Sequence, residues 1–439
     1  MLPSFLAAPR PLAAGLGLLT LLGVVSLRAQ DAAPAPAAPT DATAPAIRIV
    51  ACDAKVPSRK RGVCANKLSP EDFRAFAPGV SWYYNWHYET DSFPPADVPM
   101  QFVPQVWSNQ PEALQGLQNY LQNAAVKPRV ILAVNEPNLK GQAFITPQET
   151  AELYQKVKAI AAPYGIPVAG PNMALGSATG DSITAPDPIE NKPVTYTFMV
   201  PFLKAFFSFM GTAPVDALGF HSYGNIGEMK WASGELYKDF NHPIWVTEYA
   251  QWKTNSQEEA VNYLIQATDY LESSPFVQGY AWFKERANNN ASITLLAPEP
   301  GKLTALGQAY VALPPHDADL YYRLPGRLQA ENYVAAKDAV IRTTTDADGT
   351  FDMASNGPDS TLDYNLQVDT AGTYTLSFRV MGQPGPIEVS EKDQPLGTVA
   401  TTQPGWDNVT VSVPLPAGPQ TLRVHFPGRA LNWIEFAAQ

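Results

Sequence analysis

Two glutamates stand out by their surroundings. Glu136 closes the apolar run 130–138 (Val-Ile-Leu-Ala-Val-Asn-Glu-Pro-Asn), and Glu248 closes a second run of the same design, 243–249 (Pro-Ile-Trp-Val-Thr-Glu-Tyr). Each acid follows a stretch that reads as a buried strand, and a carboxylate at the tip of such a strand is where barrel enzymes keep catalytic acids. Breaking a glycosidic bond takes a proton for the leaving oxygen and a nucleophile or water on the opposite face, and two carboxyls supply both. Either glutamate alone reads as well as half of a structural ion pair; two at matching strand ends read as a glycosidase pair. Aromatic side chains gather at the same kind of position: Tyr84, Trp86, Trp107, Tyr223, Tyr249 and Trp282, with Asn85 and His221 among them. Pyranose faces pack on rings while their hydroxyls need polar partners, so this set points to sugar. His221 either orients the nucleophile or is a satisfied core histidine.

The elements that would position these groups follow from hydrophobic patterning. Eight apolar runs, 61–66, 80–86, 102–107, 129–136, 166–172, 217–223, 244–249 and 277–283, alternate with helix patterns. Their hydrophobicity is continuous, as in parallel strands covered on both faces. Helix starts are signalled by Ser69-Pro70-Glu71-Asp72, by Thr146-Pro147-Gln148-Glu149 and by Ser256 with Glu259, each a cap with an acid three residues on, two with Pro at the first position. Eight strands, each followed by a helix, over roughly 250 residues predict an α/β fold, a (β/α)8 TIM barrel. In a barrel the polar and aromatic strand ends share one face, so the clusters converge there.

After Pro314-Pro315 the pattern changes. Short alternating runs appear (Tyr374, Leu376, Phe378, Val380; Val409, Val411, Val413; Leu422, Val424, Phe426), separated by Gly and Pro turn signals. They predict a small antiparallel β-sandwich, jelly-roll-like. The chain thus divides into an export signal at 1–30, an Ala/Pro-rich linker at 31–48, a catalytic domain at 49–315, a short linker at 316–326 and a sandwich at 327–439.

The remaining bounds come from composition. The 439 residues suit about two domains. A net charge of −11 excludes nucleic acid and anionic membrane as partners. Arg10 ahead of the apolar stretch 11–27 and small residues at Ala29, Ala32 and Ala33 read as a cleaved export signal, predicting a secreted or periplasmic protein, monomeric and free of the membrane once processed. The two cysteines, Cys52 and Cys64, can form one disulfide or remain free thiols. No cofactor is expected for catalysis.

The motifs at 82–86, 102–107, 134–138, 220–224, 243–248 and 279–283 together resemble glycoside hydrolase family 128, the endo-β-1,3-glucanases, over about residues 58–313. The resemblance implies a retaining hydrolase of β-1,3-glucan, with Glu136 as general acid/base, Glu248 as nucleophile and Asn135 as hydrogen-bond partner of the sugar 2-hydroxyl. One departure is Gln105, where the family pattern has an apolar residue. A retaining glycosidase on another β-glycan, or an inactive polysaccharide-binding protein, are the other readings. The C-terminal motifs 327–333, 371–374, 405–406 and 431–436 resemble carbohydrate-binding modules of family 6 or 35. That resemblance implies a sugar ring held between Trp406 and Phe351, hydrogen-bonded by Asn432, and a structural Ca²⁺ held in part by Gln329 and Glu331.

Overall fold

A computed structural model describes residues 46–287, 290–392, 394–401 and 404–439. The expected export signal and residues 31–45 of the linker lie outside them. The eight apolar runs form one curled sheet of parallel strands. Its order is Gln101–Phe102, Val80–Tyr84, Ser58–Cys64, Val277–Trp282, Ile244–Tyr249, Ala217–Ser222, Val168–Met173, Ile131–Ala133 and Gln105–Val106. The two outermost strands are halves of the single run 102–107 expected from the sequence. Pro104, which has no N–H to give to a ladder, separates them.

Both faces of the sheet are apolar, as continuous runs require. Tyr83 faces outward into the main core, whereas its neighbours Trp82 and Tyr84 point inward with Leu132 and Trp245. The expected helix starts are present at Pro70–Phe76, Pro147–Ala161 and Gln257–Ser273. The first two carry full capping boxes. At the third, Ser256 caps Glu259 N–H, but the Glu259 carboxylate turns to Asn255 instead. A helix after every strand is not found: among the described residues none follows Val80–Tyr84. That connection, 85–100, contains Pro94, Pro95 and Pro99, each of which removes a helix donor.

The foot of the sheet is pinned by Arg61, which is fully buried. Its guanidinium donates to Glu272 Oε1 (2.9 Å), Tyr280 Oη (2.9 Å) and the carbonyls of Tyr310 and Leu313 (2.7 Å each). The first strand is thereby tied to the end of the last helix, Ala305–Ala312.

Residues 320–438 form two sheets whose apolar faces share one core, with Leu366, Leu422 and Val424 on one side and Leu376, Phe378 and Ile434 on the other. Most pairings are antiparallel as expected, but Leu320–Leu324 pairs in parallel with Thr361–Val368 and with Arg48–Ala51. Arg48–Ala51 is therefore an edge strand of the C-terminal part, and the boundary expected at residue 49 runs through it. Asp269, on helix Gln257–Ser273, accepts from Tyr333 Oη at 2.6 Å and lies 3.0 Å from His316 Nε2.

Cys52 and Cys64 are both free and buried. Cys64 Sγ lies 3.3 Å from the Thr247 carbonyl and Cys52 Sγ 3.1 Å from the Arg323 carbonyl, so they belong to different ends of the fold.

Candidate active site

Glu136 does not stand on the strand itself but on the turn that leaves Ile131–Ala133. Val134 (φ 61°) and Glu136 (φ 44°) both adopt left-handed backbone, a costly conformation for residues with a Cβ and typical of functional sites. Three backbone bonds enforce it: Val134 N–H donates to the Val106 carbonyl (2.8 Å), Asn135 N–H to that of Trp107 (2.9 Å) and Glu136 N–H to that of Asn172 (2.7 Å). The turn is thus held from both neighbouring strands. Glu248 lies within Ile244–Tyr249.

The two carboxylates meet at His221. Its Nδ1 is 2.8 Å from Glu136 Oε1 and 3.5 Å from Glu248 Oε2. The protonation of the ring follows from its other side. The Asn172 amide nitrogen donates to the carbonyls of Ala133 (3.1 Å) and Val134 (3.3 Å), which turns Oδ1 towards Thr247. The Thr247 hydroxyl donates to that Oδ1 at 3.0 Å. Its single proton is then spent, and Thr247 Oγ1 can only accept from His221 Nε2, 3.1 Å away. Nε2 therefore keeps its proton in every state, and Nδ1, facing the carboxylates, is the nitrogen that titrates. Burial alone would lower the pKa of His221, but Glu248 and Glu136 outweigh it and hold the ring above its ordinary value. Space for this relay comes from Gly219, where a Cβ would stand 2.1 Å from Asn172 Oδ1.

Glu248 is fixed by donors from two strand ends. Trp86 Nε1 donates to Oε1 at 2.6 Å, and the Tyr223 hydroxyl donates to Oε2. The Tyr84 hydroxyl lies 3.2 Å from Oε1 and 3.1 Å from the Thr247 carbonyl, with one proton for the two. Asn135 is held by Gln105 Nε2 (3.4 Å), which gives the unusual residue of the third run a task, and by Gln142 Oε1 (3.1 Å). Two hollows of about 580 Å³ each meet at Glu136, Leu139 and Tyr223. One contains both glutamates, Asn135, Trp86 and Trp107; Gln142, Trp252 and Phe283 complete its wall.

Several expected site residues are elsewhere. Tyr249 is 0% and Trp282 1% exposed. Their hydroxyl and indole groups bond to Thr268 Oγ1 (2.8 Å) and the Ile293 carbonyl (2.7 Å), so both rings are core outside the sheet. The strand register turns these side chains outward although their neighbours border the cleft. Asn85 braces its own loop, donating to the Glu89 carbonyl (2.9 Å) and accepting from His87 N–H (3.1 Å). Thr247, Asn172 and Phe283 belong to strand-end motifs of the sequence, the first two without any sign of a relay, whereas Leu139, Gln142 and Trp252 carry no pattern that would have found them.

In the C-terminal part, Phe351 is 1% exposed and cannot stack on a sugar. Asn432 is also fully buried; its amide donates to Asp346 Oδ2 (2.8 Å) and to the Asp348 carbonyl (2.7 Å), anchoring that loop. Trp406 alone of the three presents surface, with its Nε1 3.2 Å from Thr345 Oγ1. Among the described residues no cluster of three His, Cys, Asp or Glu side chains could hold a metal. However, Gln329 Oε1, Glu331 Oε2 and Asp352 Oδ2 are buried oxygens without a hydrogen-bond partner. Burial, and then Asp352, push Glu331 up to about 8. Oxygen donors of this kind suit Ca²⁺, and Asp352 is an addition to the two residues read from sequence.

The catalytic core model of glycosyl hydrolases matches residues 62–310, more than half of the chain, and the family 6 carbohydrate-binding module matches residues 329–438. An endo-β-1,3-glucanase of glycoside hydrolase family 128, subgroup II, from Pseudomonas viridiflava is 33% identical over 59% of this chain and 100% of its own, with a TM-score of 0.51. The chain belongs to glycoside hydrolase family 128. A second subgroup II endo-β-1,3-glucanase, from Sorangium cellulosum, is 30% identical over 59% of this chain and 100% of its own, with a TM-score of 0.49. No curated protein matches the chain. In this family 128 chain the strand ends that carry Glu136 and Glu248 lie inside the matched segment, and the orphaned oxygens lie inside the matched module.

Proposed function

We propose that this chain is a retaining endo-β-1,3-glucanase with an appended glucan-binding module. The substrate rests on the subgroup II enzymes it resembles, and the stereochemistry on one observation, the position of His221 Nδ1. It lies 2.8 Å from Glu136 Oε1 and 3.5 Å from Glu248 Oε2, so one ring nitrogen reaches both carboxylates, a closeness that suits the roughly 5–5.5 Å spacing of a retaining pair. Glu248, held by Trp86 and Tyr223, attacks the anomeric carbon from one face. Glu136 gives its proton to the glycosidic oxygen as that bond breaks, and a glycosyl ester on Glu248 forms. Water then enters on the side vacated by the leaving sugar, Glu136 takes its proton, the ester bond breaks at the anomeric carbon, and Glu248 returns as carboxylate. His221 acts through these groups as a positioning residue.

The fold supports the same reading. With both sheet edges belonging to the one run 102–107, the sheet is read as a closed eight-strand barrel, which brings the fourth and seventh strand ends to one mouth. Gln329, Glu331 and Asp352 are assigned to a structural Ca²⁺, which would neutralise buried oxygens and fasten the module's strands. The apolar segment at 11–27 is assigned to export.

Incubation with laminarin tests the reading. The wild-type chain should release β-configured oligosaccharides first, and Glu248→Gln should bind them without turnover. Initial products of inverted configuration, or hydrolysis of β-1,4-glucan but not laminarin, would overturn it.

A further inference from the structure

The two hollows that meet at Glu136 are chemically unlike. One holds both carboxylates; the other holds Glu136 without Glu248 and runs past His221 and Gly176 to Phe198 and Glu228. In a double displacement the sugar being transferred lies over the nucleophile and the leaving oxygen lies at the acid. The hollow with Glu136 alone is then the leaving-group side, where the reducing-end part of the glucan is held. Phe198 lines it on the segment that follows Thr197. The bridge between Phe198 and Gly176, and Met199 N–H donating to the Leu175 carbonyl at 3.1 Å, fix its backbone there. Its ring stacks on Trp231, with centroids 5.6 Å apart and planes at 27°. Trp231 comes from the helix Ile226–Phe240 and is 51% exposed. Contiguous exposed apolar surface marks ligand-binding grooves, and the Phe198–Trp231 pair extends the largely apolar lining of this hollow.

We infer that Phe198 and Trp231 form a sugar-stacking ledge on the leaving-group side, with the Glu228 carboxylate accepting a hydroxyl of the sugar beside it. This rests on the β-1,3-glucanase reading and extends it. Glucose faces stack on such rings, and the ledge lies beyond the sugar that directly carries the leaving oxygen. It grips at least a second leaving-side unit. It also grips an incoming oligosaccharide that competes with water for the glycosyl ester, so that sugar rather than water receives the glycosyl group: the ester C–O bond breaks, a new glycosidic bond forms, and Glu136 takes the acceptor hydroxyl's proton.

The test compares kcat/KM on laminarihexaose with kcat/KM on an aryl β-laminaribioside, whose aryl group is too short to reach the ledge. The ratio of the two should fall about tenfold in Trp231→Ala and recover in Trp231→Phe, which restores a ring. The share of transglycosylation product with added laminaritriose should fall in parallel. A ratio and product share equal to those of the wild type in Trp231→Ala would overturn the ledge. Failure of the wild-type chain to cleave either substrate would instead overturn the glucanase reading, and the ledge's ligand with it.

Discussion

Thr247→Val is the sharpest perturbation of the proton relay. The change is nearly isosteric and removes one hydroxyl. That hydroxyl is the acceptor for His221 Nε2–H and the donor to Asn172 Oδ1, and both partners are buried. In the variant the imidazolium keeps an Nε2–H with nothing to receive it. A hydrogen bond to a charged group is worth about 1.5–3 kcal/mol and one to a neutral group about 0.5–1.5 kcal/mol; since the neutral ring also carries Nε2–H, only the difference, about 1–1.5 kcal/mol, acts on the titration, and 1.36 kcal/mol corresponds to one pH unit. The ring, held above its ordinary range by Glu248 and Glu136 against its burial, should therefore lose its proton at lower pH. With a raised value in the wild type, that proton is present on the acid side and lost as pH rises. The alkaline limb of the kcat/KM profile on an aryl laminarioside should accordingly move towards acid by about one pH unit. Thr247→Ser keeps the hydroxyl and should leave the limb in place. The two orphaned groups should also lower stability by about 1–3 kcal/mol each, measured by urea unfolding. An alkaline limb in Thr247→Val that coincides with the wild type's would refute the assignment of the Nε2 proton and of His221 as the titrating neighbour of Glu136.

Three further outcomes are expected. Glu136→Gln should be rescued by azide on substrates with good leaving groups, giving the β-glycosyl azide; the absence of azide product would remove Glu136 as acid/base. Arg61→Met leaves Glu272 buried without its cation and two helix-end carbonyls without a donor, and should cost about 3–5 kcal/mol in urea unfolding; a loss under about 1 kcal/mol would contradict the pin. Because Glu331 rises from its ordinary 4.5 to about 8 on folding, protein stripped with EDTA should lose stability as pH rises from about 4.5 to about 8. Added Ca²⁺ should raise Tm most at the upper end of that window, and a Tm indifferent to Ca²⁺ at pH 8 would dismiss the site.

The sequence by itself determined which residues end the strands. Continuous apolar runs and capping signals are local, so the eight strands and the helices at 70, 147 and 257 were legible, as were Glu136 and Glu248 as a pair. The motif resemblance supplied the family. The missing helix after the second strand was also local in cause, but its prolines were outvoted by the regular alternation around them.

Tertiary structure alone decided which side each strand-end side chain faces. Tyr249 and Trp282 lie one position from cleft neighbours yet turn outward, because successive side chains on a strand alternate faces. It decided that Asn432 and Phe351 are covered. It also decided that Asn172, Thr247 and His221, from three strands, form one chain of hydrogen bonds, since a shared proton depends on distances across a sheet that no spacing along the chain records.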